Sequence, residues 1–104
     1  MTEKMELICF QIISQAGAAR SSFMEALKLG RESKFEEAGL KVKEAALLLS
    51  EGHKVHSQLI QKEAAGEKVP VSLLTLHAED LMMTTETMGE LVKEMVFMYE
   101  EFRK

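Results

Sequence analysis

The sequence predicts an all-α fold, an antiparallel up-down-up three-helix bundle that associates with copies of itself. Three observations lead there. Apolar residues recur at three- and four-residue spacing and never alternate for long, which is the period of a helix and not of a strand. Two short stretches, 29–33 and 65–70, combine a glycine with other turn-forming residues and divide the chain into three long segments. Finally, the apolar side chains exceed what one such bundle can cover, and contiguous exposed apolar surface usually marks an interface. With 104 residues, 46% of them apolar, the chain is long enough for one core and is read as a single domain over 1–104.

The first segment, about 3–29, carries Met5, Cys9, Ile12, Ile13, Ala16, Ala19, Phe23, Met24 and Leu27 on one stripe. It ends in the break Leu29-Gly30-Arg31-Glu32-Ser33, where Gly30 suits a helix C-terminus. Ser33, with Glu36 three residues on, matches a capping box opening the second segment, about 33–65. Phe35, Ala38, Val42, Ala45, Ala46, Leu49, His53, His56 and Ile60 form its stripe. The second break is Ala65-Gly66-Glu67-Lys68-Val69-Pro70, and proline fits a helix only near its start. The third segment, about 70–103, follows with Leu73, Leu74, His77, Asp80, Leu81, Thr84, Met88, Leu91, Val92, Met95, Tyr99 and Phe102 in line. Short connections make neighbouring helices antiparallel. Leu40, Leu47, Leu48, Val55 and Leu59 lie off the second stripe, and Met82, Met83 and Phe97 off the third. These leftovers, together with eight adaptable methionines, predict an oligomer.

Composition removes several function classes. The formal net charge is −4 and no basic run is longer than a pair, so neither nucleic acid nor an anionic membrane surface is an expected partner. Apolar runs are far shorter than the roughly 20 residues that span a bilayer, so no direct membrane insertion is expected. The stretch MTEKMELICF has acidic residues and no long apolar run, which is unlike a signal peptide. A lone cysteine, Cys9, cannot close an intramolecular disulfide and fits a reducing, cytoplasmic setting. No phosphate-cradling glycine loop, nucleophile elbow or His-Glu-x-x-His occurs.

Chemistry therefore falls to histidine. At 100° per residue, Asp80 lies about 60° from His77, Leu81 about 40° and Thr84 about 20°. A histidine, a carboxylate and a hydroxyl thus stand inside an apolar stripe, while Glu79, Glu86, Glu90 and Lys93 take the opposite, solvated face. A buried charge must be paired, bound to metal or protonated. A hydrogen-bonded interior histidine would explain His77 alone; its clustering with Asp80 and Thr84 favours a site. His53 and His56, three residues apart, have a spacing that can ligate a metal, but read more simply as polar interior residues lining the cleft of His77. Arg20, among the small residues Gly17-Ala18-Ala19, reads as a core-edge arginine with a buried stem.

With those residues in place, the chain resembles the lactose/cellobiose/chitobiose family of phosphotransferase-system IIA components nearly end to end. The most specific segment, Ser72-Leu73-Leu74-Thr75-Leu76-His77-Ala78-Glu79-Asp80-Leu81-Met82-Met83-Thr84, resembles the family's phosphorylated-histidine segment. Ala16-Gly17-Ala18-Ala19-Arg20-Ser21 resembles the family's Gly-x-Ala-Arg-Ser, and Glu51-Gly52-His53 its Glu-Ala-His. The resemblance implies a homotrimer and a phosphohistidine carrier. His77 would accept a phosphoryl group from the carrier HPr and pass it to a cysteine of the cognate IIB component during disaccharide uptake. Asp80 would gather near the trimer axis with its symmetry mates around a metal ion, Mg²⁺.

Three positions depart from the family pattern. Leu81 replaces a second histidine four residues after the acceptor, Glu79 replaces a glutamine, and His56 replaces another. Leu81 removes a hydrogen-bond donor from the face of His77, and Glu79 adds a negative charge about 200° around the helix from it, where repulsion would come mainly through a neighbouring subunit. Two other readings follow: a non-catalytic helical interaction or regulatory trimer that keeps the fold, and a metal-binding helical protein using His53, His56, His77 and Asp80.

Overall fold

Residues 3–104 are described by a computed structural model. Among them are three helices and no strand: α1 (Glu3–Arg31), α2 (Phe35–Ala64) and α3 (Leu73–Phe102). They form a rod of 53 × 21 × 19 Å in which α1 packs along both partners and α2 and α3 touch each other less. The predicted up-down-up bundle is what the chain forms.

The ends of the helices are set by different residues than the sequence suggested. Helix α1 runs through Gly30, which is buried against α3 where an added Cβ would come within 3.2 Å of Val96. Gly30 is therefore a packing glycine. The chain turns at Ser33, which adopts φ 66°, while Lys34 N–H donates to the carbonyl of Leu29 and Ser33 N–H to that of Gly30. This is a Schellman ending with serine in the left-handed place usually given to glycine. Ser33 does not cap α2, whose N-cap is Lys34 with no side-chain bond. Arg103 steadies the turn by donating from Nη1 to Ser33 Oγ (2.7 Å) and to the Gly30 carbonyl (3.1 Å). Helix α2 ends in the same motif at Gly66 (φ 88°), with Glu67 N–H donating to the Lys62 carbonyl.

Helix α3 starts three residues later than expected. Pro70 lies in the connection, and Ser72 is the cap: Thr75 N–H donates to Ser72 Oγ (3.2 Å) while Ser72 N–H donates to Thr75 Oγ1 (2.8 Å). Threonine here performs the reciprocal role that glutamate or glutamine usually takes.

The core has two layers. One gathers Met5, Ile8, Cys9, Ile12, Ala16, Leu59, Ala78 and Met82; the other gathers Ala19, Phe23, Ala26, Ala45 and Val92. Several assignments of residues to stripes are corrected by it. Met82 and Leu59, expected off the stripe, are buried, whereas Met24 and Ile60, expected on it, are exposed. Most consequential is α3, whose core face is Thr75, Ala78, Met82, Thr85, Gly89 and Val92. These are mostly small residues that let α3 lie close to α1, so close that a Cβ on Gly89 would stand 2.5 Å from Phe23.

Candidate functional site

Because α3 spends its small residues on the core, its larger apolar residues look outward. Leu73 (84% exposed), Leu91, Met95, Met98 and Phe102 run down one exposed face. His77, Asp80 and Thr84 lie on that same face and are exposed as well. The expectation of an interior histidine, carboxylate and hydroxyl is thus corrected: within one chain they are on the surface, among apolar residues that nothing in the described chain covers.

His77 borders a shallow apolar depression formed with Leu73 and Leu74. Asp80 borders the next one along, with Met83, Thr84, Thr87, Met88 and Leu91. Thr84 Oγ1 donates to the carbonyl of Asp80 (2.8 Å) and so serves its own helix instead of a ligand. Leu81 is half-buried against the first core layer, where it acts as a packing residue. Asp80 makes no ion pair among the described residues, and no three His, Cys, Asp or Glu side chains there converge on one point. One chain alone therefore offers a hard cation a single carboxylate.

Within one chain, His53 and His56 do not lie beside His77. Both face α3 on its other side, about 160–180° around the helix from His77. His56 is buried (6% exposed) and its Nδ1 donates to Glu79 Oε1 at 2.8 Å. His53 is exposed and its Nδ1 donates to Glu86 Oε1 at 3.1 Å. So Glu79 and Glu86, expected on a solvated face, tie α3 to α2. Two of the three departures from the family pattern also prove to be partners: the extra charge of Glu79 meets the extra imidazole of His56. Sequence reasoning treated the two positions separately because they are 23 residues apart. Arg20 is exposed. Cys9 is fully buried, and burial first, then the carboxylates of Glu79 and Glu6, push its thiol up from the ordinary 9.0. It stays protonated and unreactive.

Comparison with known proteins identifies the family and the fold. The model of the family described as "PTS system, Lactose/Cellobiose specific IIA subunit" matches residues 7–100. The chain is 43% identical over 101 residues to the lichenan-specific phosphotransferase enzyme IIA component of Bacillus subtilis, covering 97% of this chain and 92% of that one. Its fold superposes with TM-score 0.94 on the cellobiose-specific enzyme IIA of Bacillus anthracis, at 38% identity over 99% of this chain and 94% of the other. A TM-score of 0.84 relates it to a chain of the IIA(chitobiose)–HPr complex of Escherichia coli, at 30% identity over 99% and 100% of the two chains. The chain belongs to the lactose/cellobiose-specific IIA family of the sugar phosphotransferase system.

Proposed function

We propose that this chain is a phosphohistidine carrier that takes a phosphoryl group from HPr onto His77 and gives it to a cysteine of a IIB component. The observation that carries the reading is the position of His77: an exposed imidazole at one end of an apolar, otherwise uncovered face of α3. A neutral imidazole has a nucleophilic nitrogen. It attacks the phosphorus held by the phosphohistidine of HPr, forming one N–P bond as the other breaks. A thiolate of IIB then attacks the same phosphorus and releases His77. Such in-line transfer needs positioning and charge stabilisation more than covalent machinery. Leu73 and Leu74 flank His77, and a dry surround would protect the labile phosphoramidate from water. One solved relative is a complex of IIA(chitobiose) with HPr, which supports HPr as donor here.

The same face supports a homotrimer with α3 at its centre. Exposed Leu91, Met95, Met98 and Phe102 need covering. On α1, Phe10, Gly17 and Met24 recur every seven residues on the outward side, with Gly17 open to a close neighbour. Around a threefold axis the three Asp80 carboxylates supply oxygen donors that one chain cannot, a set suited to Mg²⁺ with waters completing its octahedron. Bound there, the ion would offset carboxylate repulsion and hold the trimer together, taking no part in the transfer.

The test is a labelling gel. Incubated with phosphoenolpyruvate, enzyme I and HPr, the wild type should acquire an acid-labile, base-stable phosphate. His77→Gln should take up none while remaining helical and assembled, and His53→Gln should still be labelled. Label on His77→Gln at the wild-type rate would remove the assignment. A folded wild type that takes no label would favour the regulatory trimer, for which Leu81 is the sequence feature.

A further inference from the structure

The two histidines of α2 form an arrangement that phosphoryl transfer does not use. His53 and His56 are three residues apart on one helix, with ring centroids separated by 5.9 Å and ring planes tilted by 38°. Each uses Nδ1 to donate to a carboxylate of α3, His53 to Glu86 and His56 to Glu79. Those carboxylates are seven residues apart, about 10 Å along α3, whereas the histidines are only about 4.5 Å apart along α2. The Nδ1 edges are therefore drawn toward opposite ends of the groove. With Nδ1 of each ring engaged by a carboxylate, Nε2 is the nitrogen that each of the two neighbouring rings leaves available. Neither Nε2 is hydrogen-bonded among the described residues, and neither is sealed from solvent as an orphan.

From this we propose that His53 and His56 form a second metal site, a two-nitrogen site for a divalent transition ion of the zinc, nickel or copper class. Imidazole nitrogens suit these ions, whereas Mg²⁺ prefers oxygen. With a metal–nitrogen bond of roughly 2 Å, each ring centroid sits about 3 Å from the ion, and centroids about 5–6 Å apart fit one ion between them. The surrounding carboxylates take the form such sites use: a histidine that ligates through one nitrogen donates the other N–H to a carboxylate, which fixes the ring and raises its basicity. Glu79 and Glu86 do this for both ligands. Water completes the coordination, because no third His, Cys, Asp or Glu among the described residues converges on the point. The exposure of His53 leaves a way in from solvent. Binding polarises both rings, strengthens the two Nδ1–H···carboxylate bonds and so tightens α2 against α3.

Titration calorimetry with ZnCl₂ tests this on the unphosphorylated protein kept in excess Mg²⁺, with thermal melting alongside. One Zn²⁺ per chain should bind and raise the melting temperature. His53→Gln should lose binding; that position is exposed, so the variant should fold. Glu79→Gln and Glu86→Gln should each weaken affinity by about 10–100-fold, the usual effect of losing an outer-shell partner. Cys9→Ala and His77→Gln should bind Zn²⁺ like the wild type, which separates this site from the phosphoryl site whether or not that reading holds. On binding, ¹⁵N shifts of two imidazoles should move at Nε2. No zinc binding by the wild type, full binding by His53→Gln, or loss of binding in His77→Gln or Cys9→Ala would each overturn the proposal.

Discussion

His56 shows how one buried polar side chain depends on one partner. Its imidazole is nearly enclosed, and Glu79, about a third exposed, takes its Nδ1 proton. Removing the acceptor leaves a buried donor without a partner, which costs about 1–3 kcal/mol, whereas exchanging it for another acceptor costs much less. Glu79→Ala should therefore lower the metal-free unfolding free energy by about 1–3 kcal/mol in urea. Glu79→Gln, which keeps a carbonyl oxygen at the same reach, should recover most of it. Equal losses in the two variants would mean that the charge, and not the hydrogen bond, is what His56 requires. The pair also bears on the labelling experiment. A carboxylate held by His56 on the α2 side of α3 is directed away from His77 of its own chain, so any repulsion of an incoming phosphoryl group would have to come from a neighbouring subunit's copy.

At the scale of the helix, α3 carries two useful faces and the sequence made only one of them conspicuous. Leu73, His77, Asp80, Thr84, Leu91, Met95 and Phe102 form a stripe that projection picks out at once, and the stripe is real. What projection cannot do is assign it to the inside of the chain or to an interface, because both demand apolar side chains. The actual core face was hard to see because Thr75, Ala78, Thr85 and Gly89 are small and weakly apolar, chosen for close approach and not for hydrophobic content. Helix number, order and the two breaks were legible because glycine, proline and period are local signals. The caps were not: Ser33, expected to open α2, takes the left-handed place that ends α1, and Ser72, for which no capping role was expected, opens α3. The close approach has a measurable consequence. Gly89→Ala should gain about 1 kcal/mol in helix propensity but drive a methyl group into the ring of Phe23, and overpacking of this kind costs about 1–3 kcal/mol. The expected net is destabilisation by up to about 2 kcal/mol in denaturant unfolding. Pairing it with Phe23→Leu, which vacates the space, should recover part of the loss, because neighbouring changes of this kind couple. A Gly89→Ala protein more stable than wild type would show that α1 and α3 can move apart without penalty.

For the whole molecule the unresolved tension is Asp80. It is a carboxylate without an ion-pair partner among the described residues, set in an apolar patch of Met83, Met88 and Leu91. On a free chain this is merely a surface charge. In the proposed trimer, three copies approach one axis, and like charges a few ångströms apart in a low-dielectric setting repel strongly. A bound divalent cation relieves that repulsion, so chelation should weaken the wild-type assembly. Asp80→Leu removes repulsion and metal requirement together and substitutes a side chain that matches its neighbours. Replacing buried ionic groups with apolar ones of similar size is often neutral or stabilising. The variant should therefore sediment as a trimer in EDTA and melt no lower than the metal-free wild type, while the wild type melts lower in EDTA than in Mg²⁺. Sedimentation equilibrium and thermal melts on the two proteins, with and without chelator, decide the matter. A wild type that stays monomeric would remove the axis altogether. Dissociation of Asp80→Leu alone would mean that the carboxylate has a stabilising partner across the subunit boundary, and that its place is beside the phosphoryl group of His77 and not on the axis.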